Sequence, residues 1–238
     1  MTLGIGMRPS RENGVVLITD SFETCIDSNG EWSNVVDAKK LLWLVGTETA
    51  VAISGNVNDE ELWRYGIEPN YRPLMPGLPQ EPDPRDRVRR TFGAIKEMDA
   101  AVRARHPGED RYDAMPDPGP HALFAVAEPS LLAKFTSKTQ TWAQPGDVLT
   151  IGGWLIGMPS DLAMEMQLPA PETLADCKAL ATEWVTRYID RVFGYRDPYQ
   201  QIRETGTAPG VGGPLQVLTL TPEQSVREEI PITERSTP

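Results

Sequence analysis

Thr2-Leu3-Gly4-Ile5-Gly6-Met7-Arg8-Pro9-Ser10-Arg11-Glu12-Asn13-Gly14-Val15-Val16-Leu17-Ile18-Thr19-Asp20-Ser21 is the stretch on which the fold turns. It opens with a short apolar segment. A polar turn follows and ends in Asn13-Gly14. The β-branched run Val15-Val16-Leu17-Ile18-Thr19 comes next. Strand, turn, strand is the signature of a β-hairpin, because Asn-Gly accepts the positive φ angles that a tight reversal needs. An acid, Asp20, stands just past the second strand.

The same pattern recurs downstream. Residues 41–45 and 50–54 are apolar runs separated by Gly46-Thr47-Glu48-Thr49, and they predict a second strand pair. Asp59-Glu60-Glu61-Leu62-Trp63 reads as a helix start with acids in its first turn. Residues 68–85 carry Pro69, Pro73, Pro76, Pro79, Pro82 and Pro84 and predict an inserted surface loop, since proline removes a backbone donor and stops helices. Residues 86–105 place Val88, Phe92, Ile95, Met98 and Val102 at steps of three and four, an amphipathic helix. A second insertion covers residues 107–120.

Strands are expected at 121–128, 131–135 and 147–151, a helix at 173–192, a loop at 196–211 and a last strand at 215–220. The order is paired strands, helices, paired strands, helix, strand. No βαβ repeat carries a phosphate-type glycine loop, so the expected class is α+β with layered antiparallel sheets. Residues 1–222 are expected to form a single domain. Residues 223–238 read as a polar tail that frays.

Composition narrows the chemistry. The chain has 238 residues and a formal charge of −11, which repels phosphate backbones and argues against nucleic-acid binding. No apolar run is long enough to span a bilayer, and no basic-then-apolar leader precedes the first strand, so a cytoplasmic location is expected. Two cysteines and two histidines, Cys25, Cys177, His106 and His121, leave little for a disulfide framework or a His-rich metal centre. Neither a metal nor a cofactor is expected. Cys25 lies close to Asp20 in sequence but reads first as a small buried hydrophobe.

Met1-Thr2 suggests where chemistry could reside. Removal of Met1 would leave Thr2 with a hydroxyl beside its own α-amine, whose pKa of about 7.7–8.0 suits it to take a proton near neutrality. Lys39-Lys40 stands directly before the strand at 41–45. If Leu42 and Leu44 face one side, alternation puts Lys40 on that side and Lys39 on the other. A lysine turned into an acid-lined pocket would lower the proton affinity of a nearby hydroxyl. A turn role for Asp20 and a solvated Lys39-Lys40 pair are the plainer alternatives.

These segments together resemble the proteasome-type β-subunit family of N-terminal nucleophile hydrolases. Thr2-Leu3-Gly4-Ile5-Gly6 is similar to the start of a mature subunit, with a glycine four residues after the threonine. The strand ending in Asp20-Ser21, the pair Lys40-Leu41, and Ala52-Ile53-Ser54-Gly55-Asn56 resemble the family's further site segments. Within it the bacterial ancestral-β-subunit (Anbu) type is most similar. Gly55-Asn56, Ile151-Gly152-Gly153-Trp154-Leu155-Ile156-Gly157-Met158-Pro159 and Val211-Gly212-Gly213-Pro214 carry that likeness.

The resemblance implies an αββα four-layer sandwich and a threonine hydrolase of peptide or amide bonds. Thr2 would be the nucleophile, Asp20 and Lys40 its partners, and the Gly55 N–H an oxyanion donor. Asp197 could take the accessory acid's place only if residues 196–211 fold back. It further implies a peptide or protein substrate and a homo-oligomeric ring or spiral, and it identifies no unfoldase partner. The sequence departs from the family at Gly152-Gly153 and at Gly210-Val211, where accessory serines are expected. Two other readings therefore stand beside the first. One is an inactive assembly or peptide-binding subunit, and the other is an amidase or acyltransferase of the same class acting on small amides.

Overall fold

The computed structural model describes residues 3–21, 23–26, 32–35, 40–44, 47–54, 67–68, 83–105, 119–151, 169–193 and 213–231. Strands β1 (Gly4–Met7) and β2 (Val15–Thr19) pair antiparallel, with Ile5 opposite Ile18, as the strand–turn–strand pattern leads one to expect. They lie inside a five-stranded sheet whose order is β11-β1-β2-β12-β13, with β11 at Val148–Ile151, β12 at Leu215–Leu220 and β13 at Ser225–Ile230. A six-stranded sheet runs β10-β9-β8-β6-β5-β7. It contains β5 (Leu41–Leu44), β6 (Thr49–Ser54), β7 (Ile67–Glu68), β8 (His121–Val126), β9 (Leu131–Phe135) and β10 (Gln140–Trp142). A separate hairpin joins β3 (Glu23–Ile26) to β4 (Trp32–Val35). Among the described residues, the two larger antiparallel sheets and two long helices make a mixed α+β fold.

Alternation along each strand sorts side chains into separate cores. Leu3, Ile5, Met7, Val16 and Ile18 turn one way, onto Cys177, Ala181, Trp184 and Val185 of helix α2 (Leu174–Phe193). Val15, Leu17, Leu218 and Leu220 turn the other way and meet Leu41, Ala52, Leu123 and Leu132 of the six-stranded sheet. That sheet's opposite face, with Leu42, Leu44, Phe124 and Phe135, packs on Val88, Phe92, Ile95 and Met98 of helix α1 (Pro84–Arg105). Gly6 belongs to the face between the sheets. A Cβ there would come within 2.6 Å of Leu132 Cδ1, so any larger residue would force that leucine to shift. Gly213 has φ +72°, a left-handed conformation that turns the chain into Pro214 and β12.

Helix α1 starts two residues earlier than the periodicity predicts. Asp83 caps it, accepting from the N–H groups of Arg85 at 2.7 Å and Asp86 at 3.2 Å. Pro84 fits the first turn because its missing N–H would have had no helical partner. The proline-rich stretch therefore ends in a helix rather than in loop. Its residues 69–82 lie outside the described residues, as do the expected helix start at 59–63, most of the second insertion and the loop at 196–211. Thr173 and Asp176 form a reciprocal cap on α2, with N–H to oxygen distances of 3.0 and 3.1 Å. The Thr173 bonds hold the Asp176 carboxyl below its ordinary range.

The expected polar tail requires a larger correction. Residues 225–230 are strand β13, paired along their whole length with β12. The segment escapes a periodicity search because it is an edge strand, and five of its six residues are exposed. It is nevertheless tied in. The Arg227 guanidinium donates to the Leu41 carbonyl at 3.0 Å and lies 5.3 Å from the Trp43 ring centroid, while Lys178 of α2 pairs with Glu228.

Candidate active site

At the end of β2 the backbone of Asp20 and that of Leu3 are clamped together. The Asp20 N–H donates to the Leu3 carbonyl at 3.2 Å, and the Leu3 N–H donates to Asp20 Oδ1 at 2.8 Å. The other carboxylate oxygen, Oδ2, accepts from Lys40 Nζ at 2.8 Å. Both side chains are out of water, Asp20 at 0% and Lys40 at 6% exposure. A buried carboxylate and a buried ammonium are each costly alone, and at contact each offsets the other's lost hydration. Asp20 thus links Leu3 to Lys40.

Lys40 reaches this position by a route that strand alternation does not give. Leu42 and Leu44 face helix α1, whereas Lys40 meets Asp20 at the end of the opposite sheet. Residue 40 precedes β5, so the face rule does not govern it. Its backbone is held instead by Gln216. Gln216 Oε1 accepts from the N–H groups of Lys40 at 2.9 Å and Leu41 at 3.4 Å. Gln216 stands on β12 opposite Thr19 and on the face between the sheets, so it ties the entry of β5 to the five-stranded sheet one residue from Asp20.

Sequence reasoning missed Gln216. The available signal was a lone amide in the otherwise apolar Leu215-Gln216-Val217-Leu218. Arg227, bonded to the Leu41 carbonyl, was missed because its strand was read as tail.

Thr19, Ser54 and His121 are also buried at this end of the sheets. The Thr19 and Ser54 hydroxyls have no hydrogen-bond partner among the described residues. Ser54 immediately precedes Gly55 and lies opposite His121. Of the candidate residues, Asp20 and Lys40 are brought together, while Thr2, Gly55 and Asp197 lie outside the described residues. The Cys25 side chain lies outside them too. Among the described residues no group of three His, Cys, Asp or Glu side chains could hold a metal ion, and no helix is long and apolar enough to cross a membrane.

No protein-family profile and no curated protein matches the sequence. Solved structures do match. An Anbu Gly-1 mutant from Hyphomicrobium sp. strain MC1 superposes with TM-score 0.55 at 14% identity, over 98% of this chain and 89% of that one. Anbu (ancestral beta-subunit) from Yersinia bercovieri gives 0.52 at 18% identity, over 94% and 86%. The chain has the Anbu fold.

The likeness to Anbu runs nearly end to end, so it takes in both sheets and both helices rather than one motif. In this Anbu-like frame the Asp20–Lys40 pair sits where the two sheets meet beside the first described residue, Leu3.

Proposed function

We propose that this protein is an N-terminal threonine hydrolase of peptide or amide bonds, an ancestral-β-subunit-like member of the proteasome-type family built as an αββα sandwich. The observation that carries the reading is the Asp20 carboxylate shared between the Leu3 N–H and Lys40 Nζ. Thr2 is covalently joined to that Leu3 nitrogen, so in sequence it stands next to the residue that Asp20 holds. The core order of α1, six-stranded sheet, five-stranded sheet and α2 supports the sandwich.

After cleavage of the Met1–Thr2 bond, the Thr2 Oγ attacks the substrate carbonyl carbon and its proton passes to the α-amine. Lys40 lowers the hydroxyl's proton affinity, Asp20 holds Lys40, and the Gly55 N–H binds the oxyanion. The C–N bond breaks as the amine leaves with that proton. Water then hydrolyses the ester and restores Thr2. Asp197 is the candidate accessory acid. The chain works as a homo-oligomeric ring or spiral in the cytoplasm and takes a peptide or protein substrate.

Absence of a hydroxyl at Gly152-Gly153 favours a second reading, an assembly or peptide-binding subunit with little turnover. Intact-mass analysis with a peptide epoxyketone separates the two. The first predicts loss of Met1 and one covalent adduct, absent in Thr2→Ala. Retained Met1, or equal peptide hydrolysis by wild type and Thr2→Ala, removes it.

A further inference from the structure

Sideways from the Asp20–Lys40 pair, a groove of about 370 Å³ opens between the edges of the two sheets. One wall carries His121, Lys134, Thr136, Thr139 and Thr141, and the other is Val148, Leu149 and Thr150 of β11. Leu132 belongs to the core between the sheets, and Lys134 and Thr136 follow it in strand alternation. Lys134 also lies opposite Leu123, another member of that core. Toward the open edge, then, the inward face changes from leucine to lysine and threonine.

The groove's chemistry is one-sided. Among its described lining residues none is acidic, although the whole chain carries −11. Hydroxyl bookkeeping adds a donor. Thr136 Oγ1 accepts from the N–H groups of Lys138 at 3.2 Å and Thr139 at 3.0 Å. With both lone pairs engaged, it donates its own proton across the 3.0 Å contact to Thr139 Oγ1. The Thr139 O–H is then left to donate elsewhere. An ammonium with hydroxyl donors suits a carboxylate.

The opposite wall has a different capacity. β11 ends its sheet and pairs only with β1 among the described residues. The outer side of such a strand presents N–H and C=O groups that an extended peptide can pair with. The groove also adjoins the candidate site, because His121 lies opposite Ser54, the residue before Gly55.

We propose that this groove is a subsite for an acidic side chain of an extended peptide, whose backbone adds to β11 and whose carboxylate is held by Lys134 and the neighbouring hydroxyls. Calling that peptide the substrate rests on the proposed function; its binding does not. The test uses fluorescent hexapeptides carrying Glu or Gln at each position in turn. Their binding is measured by anisotropy on the full chain in a Thr2→Ala background, so that cleavage cannot deplete them.

In one register the Glu peptide should bind roughly tenfold tighter than its Gln isostere, as a charge-assisted pair would give. Lys134→Gln should abolish the preference, Lys134→Arg should retain it, and Lys134→Glu should turn it toward a Lys peptide. An unchanged urea midpoint for Lys134→Gln shows that the fold is intact. Equal Glu and Gln binding at every position, or a preference that survives Lys134→Gln, overturns the proposal. Acid-selective binding, together with no epoxyketone adduct on the wild-type chain, would leave the groove standing and remove only the hydrolase reading.

Discussion

Asp20→Asn should separate what the buried pair contributes to folding from what it contributes to chemistry. Asparagine keeps the shape and still offers an oxygen to the Leu3 N–H, now 2.8 Å from Oδ1. It removes the negative charge from beside Lys40 Nζ, which is 6% exposed and cannot recover its hydration without opening the structure. Removing one partner of a buried ion pair costs about 3–5 kcal/mol, a large share of a total stability of about 5–15 kcal/mol. With a urea slope near 2 kcal/mol/M, the midpoint should fall by about 2 M.

Lys40→Met should cost a similar amount, because it strands the carboxylate. The double variant Asp20→Asn/Lys40→Met removes both charges and should cost no more than either single, which makes the coupling in a double-mutant cycle at least about 3 kcal/mol. The three variants and wild type are compared by urea unfolding with slopes held equal, and in parallel by epoxyketone labelling. The double variant should be stable and unlabelled. A cost below about 1 kcal/mol for Asp20→Asn, or additive single effects, would mean that the charges are solvated and refute the buried-pair reasoning.

Gln216→Leu removes the acceptor of the Lys40 and Leu41 N–H groups and should cost about 1–3 kcal/mol, with faster amide exchange at residues 40 and 41; unchanged exchange would show that Gln216 does not hold the entry of β5. Burial pushes the Cys177 thiol up to about 12 from its ordinary 9.0, so the unfolded chain ionises first and stability falls as pH rises above 9. Compared with Cys177→Val, wild type should lose about 2 kcal/mol between pH 9 and 10.5, read by urea unfolding at each pH; parallel curves would remove the burial argument. Truncation after Pro222 deletes β13 together with the Arg227–Leu41 and Lys178–Glu228 contacts. It bares the β12 edge and should lower the urea midpoint and promote aggregation, whereas an unchanged midpoint would restore residues 223–238 to the status of a tail.

Where a strand or helix buries a face of its own, its sequence was sufficient to find it. The apolar run at 15–19 became β2, residues 131–135 became β9, residues 215–220 became β12, and the steps of three and four at 173–192 became α2 to within one residue. Strands β10 and β13 escaped notice because edge strands need no apolar alternation. Gln140 and Thr141 are exposed, and β13 survives through its ladder to β12. The early start of α1 was hidden by Pro84, a residue that breaks a helix interior but suits its first turn.

Thr2, Asp20 and Lys40 were candidates from residue type and order alone. Periodicity and capping act over a few residues, and the sequence by itself therefore determined the elements, their order and the acid at the end of β2. Tertiary structure decided which groups meet. Lys40 bonds Asp20 across 20 residues and Gln216 across 176, contacts that exist only because two sheets pack face to face and bring the ends of distant strands together. A contact at that separation leaves no local pattern, because what stabilises it is exclusion from water by residues far away in the chain.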